Sequence, residues 1–158
     1  MSNTPFTICL WFDTEAEEAA RYYTGIFKDS QMGSVAHYGD AGPRPAGMVM
    51  TTEFRLNGQP FLALNGGPNH PFTQAVSLYV ECADQAEVDY YWERLGEGGA
   101  EVACGWLTDR YGFFWQIVPT RLMELMRSPD RELSTRVMAA MLQMTKVEIA
   151  ALEAAADG

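Results

Sequence analysis

Basic residues are scarce: 11 Lys and Arg stand against 21 Asp and Glu, for a formal charge of −10. A surface of that sign repels phosphate backbones and anionic lipid headgroups, so neither a nucleic-acid partner nor a membrane surface is expected. No apolar run approaches the roughly 20 residues that span a bilayer. The opening segment carries Asp13, Glu15, Glu17 and Glu18 where a secretory leader needs a basic start and an unbroken apolar stretch, and a cytoplasmic protein is expected. Histidine is nearly missing, with only His37 and His70. Three cysteines, Cys9, Cys82 and Cys104, are odd in number, far apart and set among strand-like residues. That suits neither a disulfide framework nor a zinc site, and they read as buried or pocket thiols. Also lacking is a glycine-rich turn leading from a strand into a helix, which a nucleotide-type cofactor fold requires. What is present, 47% hydrophobic and 20% charged residues over 158 positions, is ordinary globular usage for one domain or two half-size modules sharing a core.

From Phe6 to Phe12 the chain alternates, with Phe6, Ile8, Leu10 and Phe12 on one side and Thr7, Cys9 and Trp11 on the other, which is the period of a strand. Thr14 with Glu17 forms a capping-box pattern, after which Ala16, Ala19, Ala20, Tyr23, Ile26 and Phe27 recur at helical spacing. The same pattern returns about 70 residues later. Val76, Leu78, Val80 and Cys82 alternate with Ser77, Tyr79 and Glu81, and Asp84 with Glu87 opens a helix bearing Val88, Tyr91, Trp92 and Leu95. The Gly96-Glu97-Gly98-Gly99 cluster ends that helix. Between the repeats, a strand from Met32 to Tyr38 precedes a loop over Gly39 to Gly47. A further strand holds Met48, Met50, Thr52, Phe54 and Leu56, and Asn57-Gly58 supplies a type I′ hairpin turn into Pro60 to Leu64. Each half is therefore βαβββ-like, the second with less room for its middle strands.

In each half the helix is expected to cover the side carrying Ile8 and Leu10, or Val76 and Leu78. The opposite side, with Thr7, Cys9, Trp11, Ser77 and Tyr79, mixes polar and aromatic groups as a concave ligand surface does; an amphipathic sheet with one side in water is the plainer alternative. After Pro119 the pattern turns helical. Ser128-Pro129 reads as a cap with proline at the first helical position, followed by an apolar stripe of Leu133, Val137, Met138, Met141 and Leu142. Thr145 with Glu148 predicts the start of a last helix with Ile149 and Leu152, and Met123, Met126, Met138, Met141 and Met144 enrich this tail for core packing or a subunit interface.

Two runs are specific enough to suggest a family: Leu64-Asn65-Gly66-Gly67-Pro68 with Phe72-Thr73, and Cys104-Gly105-Trp106-Leu107 through Asp109, Tyr111, Gly112, Trp115, Gln116 and Pro119. Together with Cys9 to Asp13, Tyr22-Tyr23 and Met141 to Met144, the chain resembles the PhnB-like proteins of the vicinal oxygen chelate (glyoxalase/bleomycin-resistance/dioxygenase) superfamily, over nearly its whole length. Such proteins are often labelled 3-demethylubiquinone-9 3-methyltransferase. The resemblance implies an α+β fold: paired βαβββ modules, about 1–68 and 72–120, form a curved mixed sheet around a cavity, with a helical extension over 121–158 and a homodimeric assembly.

In metal-dependent members of the superfamily, two histidines and two glutamates on the first and last strands of each half hold a divalent ion that polarises the substrate. Here the first strand has no His and Pro60 to Leu64 has no acid. Ser77 and Gln116 stand about where the second half's histidine and glutamate would be, so a tight metal site is not expected and no cofactor is assigned. The expected site is a small-molecule pocket lined by Cys9, Trp11, Asn65, Ser77, Tyr79, Trp106, Trp115 and Gln116, with Asn65 and Gln116 orienting a flat or partly apolar ligand. No nucleophile motif accompanies it, since Ser77 lacks the flanking elbow. Binding without chemistry is the first reading. The rival is a lyase, isomerase or dioxygenase that recruits a metal through Glu53, His37 or His70. A methyltransferase activity is disfavoured by the missing cofactor turn.

Overall fold

The computed structural model describes residues 5–158. It contains two compact units, the first ending at Pro71 and the second running from Phe72 to Gly158. The first has the expected βαβββ order: β1 (Ile8–Phe12), α1 (Ala16–Thr24), β2 (Gln31–His37), β3 (Val49–Leu56) and β4 (Gln59–Asn65). Its open sheet runs β1-β4-β3-β2, with β1 parallel to β4 and the other pairs antiparallel. Leu10, Phe12, Phe54, Phe61 and Ala63 are buried on one side, together with Ala16, Ala19, Ala20 and Tyr23 of α1. Three alanines let α1 approach the sheet closely, and Tyr23 stacks on Phe54, which stacks in turn on Phe61 at 5.1 Å. Asn57 and Gly58, both at positive φ, make the type I′ turn between β3 and β4.

The start of α1 departs from the capping box that Thr14 and Glu17 predict. The helix begins at Ala16, whose N–H donates 2.8 Å to Asn65 Oδ1 at the end of β4. The Thr14 N–H is engaged by Glu15 Oε2. A cap delivered from 49 positions away is invisible to local sequence patterns.

The second unit repeats the order with β5 (Ser77–Cys82), α2 (Gln85–Gly96), β6 (Ala100–Glu101), β7 (Trp106–Thr108) and β8 (Phe114–Pro119). Its sheet runs β5-β8-β7-β6, with β5 parallel to β8. Leu107, Trp115 and Ile117 are buried, as are Val88, Trp92 and Leu95 of α2. Here the local cap forms: Asp84 Oδ1 accepts from Glu87 N–H, and Glu87 Oε2 accepts from Ala83 N–H.

Three helices follow: α3 (Thr120–Met126), α4 (Arg131–Met141) and α5 (Ile149–Asp157). Val118, Leu122, Leu125, Val137, Val147 and Leu152 form one apolar cluster, flanked by Met126, Leu133, Met141 and Met144, whereas Met138 and Leu142 are exposed. Two helix starts lie later than the sequence predicts. Asp130 caps α4 by accepting from Glu132 and Leu133 N–H, with Ser128 Oγ accepting from Asp130 N–H. The α5 helix begins only at Ile149 because the preceding strap is held elsewhere. Met144 and Thr145 carbonyls accept from Cys104 and Gly105 N–H, and Gln85 bonds both Val147 C=O and Ile149 N–H. No helix among the described residues is long and apolar enough to cross a membrane.

Candidate functional site

In the second unit, pairing register sets the side of the sheet that α2 leaves uncovered. Tyr79 lies opposite Gln116 and Gln116 opposite Trp106, so the three share one face across β5, β8 and β7. Ser77 lies two residues before Tyr79 on the same face and receives a hydrogen bond of 2.9 Å from Gln116 Nε2. That pair leaves the Ser77 hydroxyl proton and Gln116 Oε1 as a neutral donor and acceptor side by side. Tyr79 is 44% exposed. Partial burial, followed by the Glu81 carboxylate, pushes its phenol up from the ordinary value, which keeps it a hydrogen-bond donor. Trp115 belongs to the other register. It is 1% exposed in the core, and its indole N–H donates 2.8 Å to Asp109 Oδ2. Asp109 Oδ1 accepts from Tyr111 and Phe113 N–H, so this buried carboxylate ties the turn before β8 to the core.

In the first unit, Cys9 and Trp11 project from the uncovered face of β1. Burial pushes the Cys9 thiol up, which disfavours the thiolate form a nucleophile needs. Trp11 is seated on the loop after β4. Its indole N–H donates 2.9 Å to Gly67 C=O, its ring lies so close to Gly66 that a β-carbon there would sit 2.2 Å from it, and His70 packs edge-on at 4.7 Å. The Asn65-Gly66-Gly67 run is thus explained residue by residue. Asn65 is 2% exposed, caps α1 and donates 3.0 Å to Val49 C=O, Gly66 makes room for the indole, and Gly67 anchors it.

The same face holds an open cavity of about 450 Å³ near the β3–β4 turn. Thr7, Gln31, Gly33, Glu53, Arg55, Pro60 and Leu62 line it from the uncovered register, joined by Met32, Phe54 and Phe61. Glu53 Oε2 accepts 2.7 Å from Ser34 Oγ, and Arg55 Nη1 donates 3.0 Å to Gly58 C=O. The β2 register shifts between Met32 and Val35, a bulge containing Gly33.

Of the eight residues expected to line a pocket, Ser77, Tyr79, Trp106 and Gln116 form one group, Cys9 and Trp11 stand on the uncovered face of the first sheet, and Asn65 and Trp115 are buried in structural hydrogen bonds. None of the eight lines this cavity; of its lining residues, the sequence singles out Thr7, on the uncovered side of the first strand, and Glu53, raised only for a metal-dependent rival. His37 and His70 line none of this cavity. The duplication carried a usable signal: β1 and β5 align at an offset of 70, placing Thr7 with Ser77, and the registers Cys9–Leu62 and Tyr79–Gln116 place Leu62 with Gln116.

The family described as 3-demethylubiquinone-9 3-methyltransferase matches residues 4–118. Among solved structures, a Bacillus cereus PhnB protein that carries the same description is 36% identical with a TM-score of 0.66, covering 73% of this chain and 99% of that one. A Pseudomonas aeruginosa protein is 20% identical at a TM-score of 0.60, covering 72% and 96%. The fosfomycin resistance protein FosX of Mesorhizobium loti is 16% identical at 0.51, covering 73% and 90%. The latter two show a shared fold alone. No curated protein matches the chain. Two βαβββ halves, the motif residues in their places and the match over residues 4–118 lead to one assignment: the chain belongs to the PhnB-like family of the vicinal oxygen chelate superfamily.

Proposed function

We propose that the chain binds a small, flat organic ligand on the uncovered faces of its sheets, works as a homodimer, and does so without the superfamily's metal. The observation that carries this reading is the Ser77–Gln116 pair, set between Tyr79 and Trp106 on a sheet face that no helix of its own unit covers. A donor and an acceptor side by side complement an amide edge, and the flanking aromatic rings suit a planar body. The positions that correspond to metal ligands carry Thr7, Leu62, Ser77 and Gln116, a neutral set already half joined by its own hydrogen bond. Hydroxyl, isobutyl and amide groups do not fit a divalent transition ion, which supports the metal-free reading. The open sheets leave strand edges at β1 and β2 in the first unit and at β5 and β6 in the second, which supports assembly with a second copy.

Benzamide tests the proposal, since it offers an amide edge on one aromatic ring. Nuclear magnetic resonance titration of the full chain is expected to shift signals of Ser77, Tyr79, Trp106 and Gln116. Gln116→Leu should weaken binding about tenfold, the cost of one stranded polar contact. Shifts confined to other residues, or none, would overturn the assignment. On the same sample, light scattering is expected to show twice the 17.6 kDa chain mass. Stoichiometric zinc, iron, manganese or nickel in protein purified without chelator would favour the metal-dependent rival, and heat on titration with S-adenosylmethionine would restore the methyltransferase one.

A further inference from the structure

We propose that the cavity of the first unit takes a zwitterion, with a primary ammonium at Glu53, an oxyanion at Arg55 and an apolar body between them on Leu62 and Pro60. The inference rests on the reading that uncovered sheet faces bind small molecules, and adds the charge pattern of the ligand.

Glu53 and Arg55 are two residues apart on β3, so they point to the same face, about 7 Å apart along the strand. Both line the cavity of about 450 Å³. Neither has an ionic partner among the described residues: Glu53 accepts from the neutral Ser34 hydroxyl, and Arg55 donates to the Gly58 carbonyl. By contrast Arg21, Arg44, Arg110, Arg121 and Lys146 are each paired with a carboxylate.

The backbone opposite Glu53 is fitted to this arrangement. Gly33 lies in the β2 bulge, and a β-carbon added there would come 2.9 Å from Glu53 Cβ and 3.0 Å from its carbonyl oxygen. Any other residue would push against Glu53, whereas the bulge brings Ser34 Oγ onto its carboxylate. A positioned anion and a guanidinium, both unneutralised and separated by an apolar floor, match a molecule carrying the opposite charges at the same spacing.

Three compounds with one aromatic body separate the charges: 4-(aminomethyl)benzoate carries both, benzylamine only the cation and 4-methylbenzoate only the anion. In titrations of the full chain followed by nuclear magnetic resonance, the zwitterion is expected to shift Gly33, Glu53 and Arg55 amides and to bind at least about tenfold tighter than either single-charge compound, the size of one charge-assisted hydrogen bond. Glu53→Gln should reduce its affinity to that of 4-methylbenzoate, and Arg55→Gln to that of benzylamine. Both side chains are exposed, so these variants should keep the dispersed spectrum of the parent. Equal affinities for the three compounds, shifts away from the cavity, or no binding of any would overturn the charge assignment. Benzamide binding at Gln116 alongside such a failure would leave the broader reading standing, whereas zwitterion binding without benzamide binding would overturn only the second unit's role.

Discussion

The two units repeat one topology and complete it by different means. In the first, β2, β3 and β4 have seven, eight and seven residues, a free-standing Asn57-Gly58 turn joins the last two, and the helix cap comes from Asn65 across the sheet. In the second, β6 and β7 have two and three residues, the Cys104-Gly105 turn is pinned by its backbone N–H groups donating to the Met144 and Thr145 carbonyls, and the helix cap is the adjacent Asp84. Where the sheet is long it buries its own core. Where it is short, the C-terminal tail supplies the missing apolar surface and hydrogen-bond acceptors. The family match ends at residue 118, so the tail lies beyond the matched segment although it packs as part of the second unit.

Deleting residues 121–158 is the most severe way to break this comparison. Leu122, Leu125, Val137, Val147 and Leu152 would be lost from the cluster with Val118. At about 1.5–3 kcal/mol per buried aliphatic side chain, that loss is of the same order as the whole stability of a small domain. Loss of dispersed resonances from residues 72–120 is expected, with those of the first unit retained. Unchanged signals for Trp106, Trp115 and Gln116 would show the short sheet to be self-sufficient.

Paired glycine substitutions sharpen the same contrast with a smaller effect. Gly58 and Gly105 sit at φ +80° and +83°, but a β-carbon at Gly58 would meet open space, whereas at Gly105 it would lie 2.9 Å from Ile117 O and 3.0 Å from Val147 Cγ2. Gly58→Ala should cost only the left-handed backbone penalty of about 1–2 kcal/mol. Gly105→Ala should cost about 2 kcal/mol more, because Ile117 is backbone in a paired strand and Val147 belongs to the packed tail. Chemical denaturation of both variants measures the difference, and equal losses would mean that the strap yields freely.

What was legible in the sequence followed from short-range periodicity. The alternation around Leu10 and Val80, the Asn57-Gly58 turn and the Asp84 cap all form as the residues predict, because each depends on neighbours within a few positions. Two helix starts failed where a distant group competed: Asn65 displaced the Thr14 capping box, and hydrogen bonds from Cys104 and Gly105 drew Met144 and Thr145 out of α5, whereas at α4 the cap only passed from Ser128 to the nearby Asp130. The candidate site divides in the same way. Ser77, Tyr79 and Gln116 were readable as one face of two strands, whereas Asn65 and Trp115 have polar groups that any pocket could use and that the core uses instead. The cavity beside Glu53 depends on a bulge at Gly33, which alternation alone does not locate.

The smallest effect asks whether the strap is also held by charge. Lys146 Nζ lies 2.6 Å from Asp89 on α2 and 3.2 Å from Glu148. The hydrogen bond from Lys146, then that from Gln85, holds the Asp89 carboxyl below its ordinary value, and the bond to Asp89 raises Lys146 above the ordinary lysine value. For Asp89 the stabilisation is present above the unfolded carboxylate pKa of about 4 and is lost as pH falls through the lower folded value. For Lys146 it is present below about 10.4 and is lost as pH rises through the higher folded value. The stability difference between the parent and Lys146→Met should therefore be level from weakly acidic to weakly alkaline pH and shrink at both extremes. Because the Asp89 side chain is 51% exposed, that difference should stay below about 1 kcal/mol and fall with added salt. Denaturation of both proteins across pH measures it. A difference that is absent at neutral pH would assign the strap wholly to Gln85 and the Cys104-Gly105 backbone, so that packing and neutral hydrogen bonds alone hold it against α2 and β7.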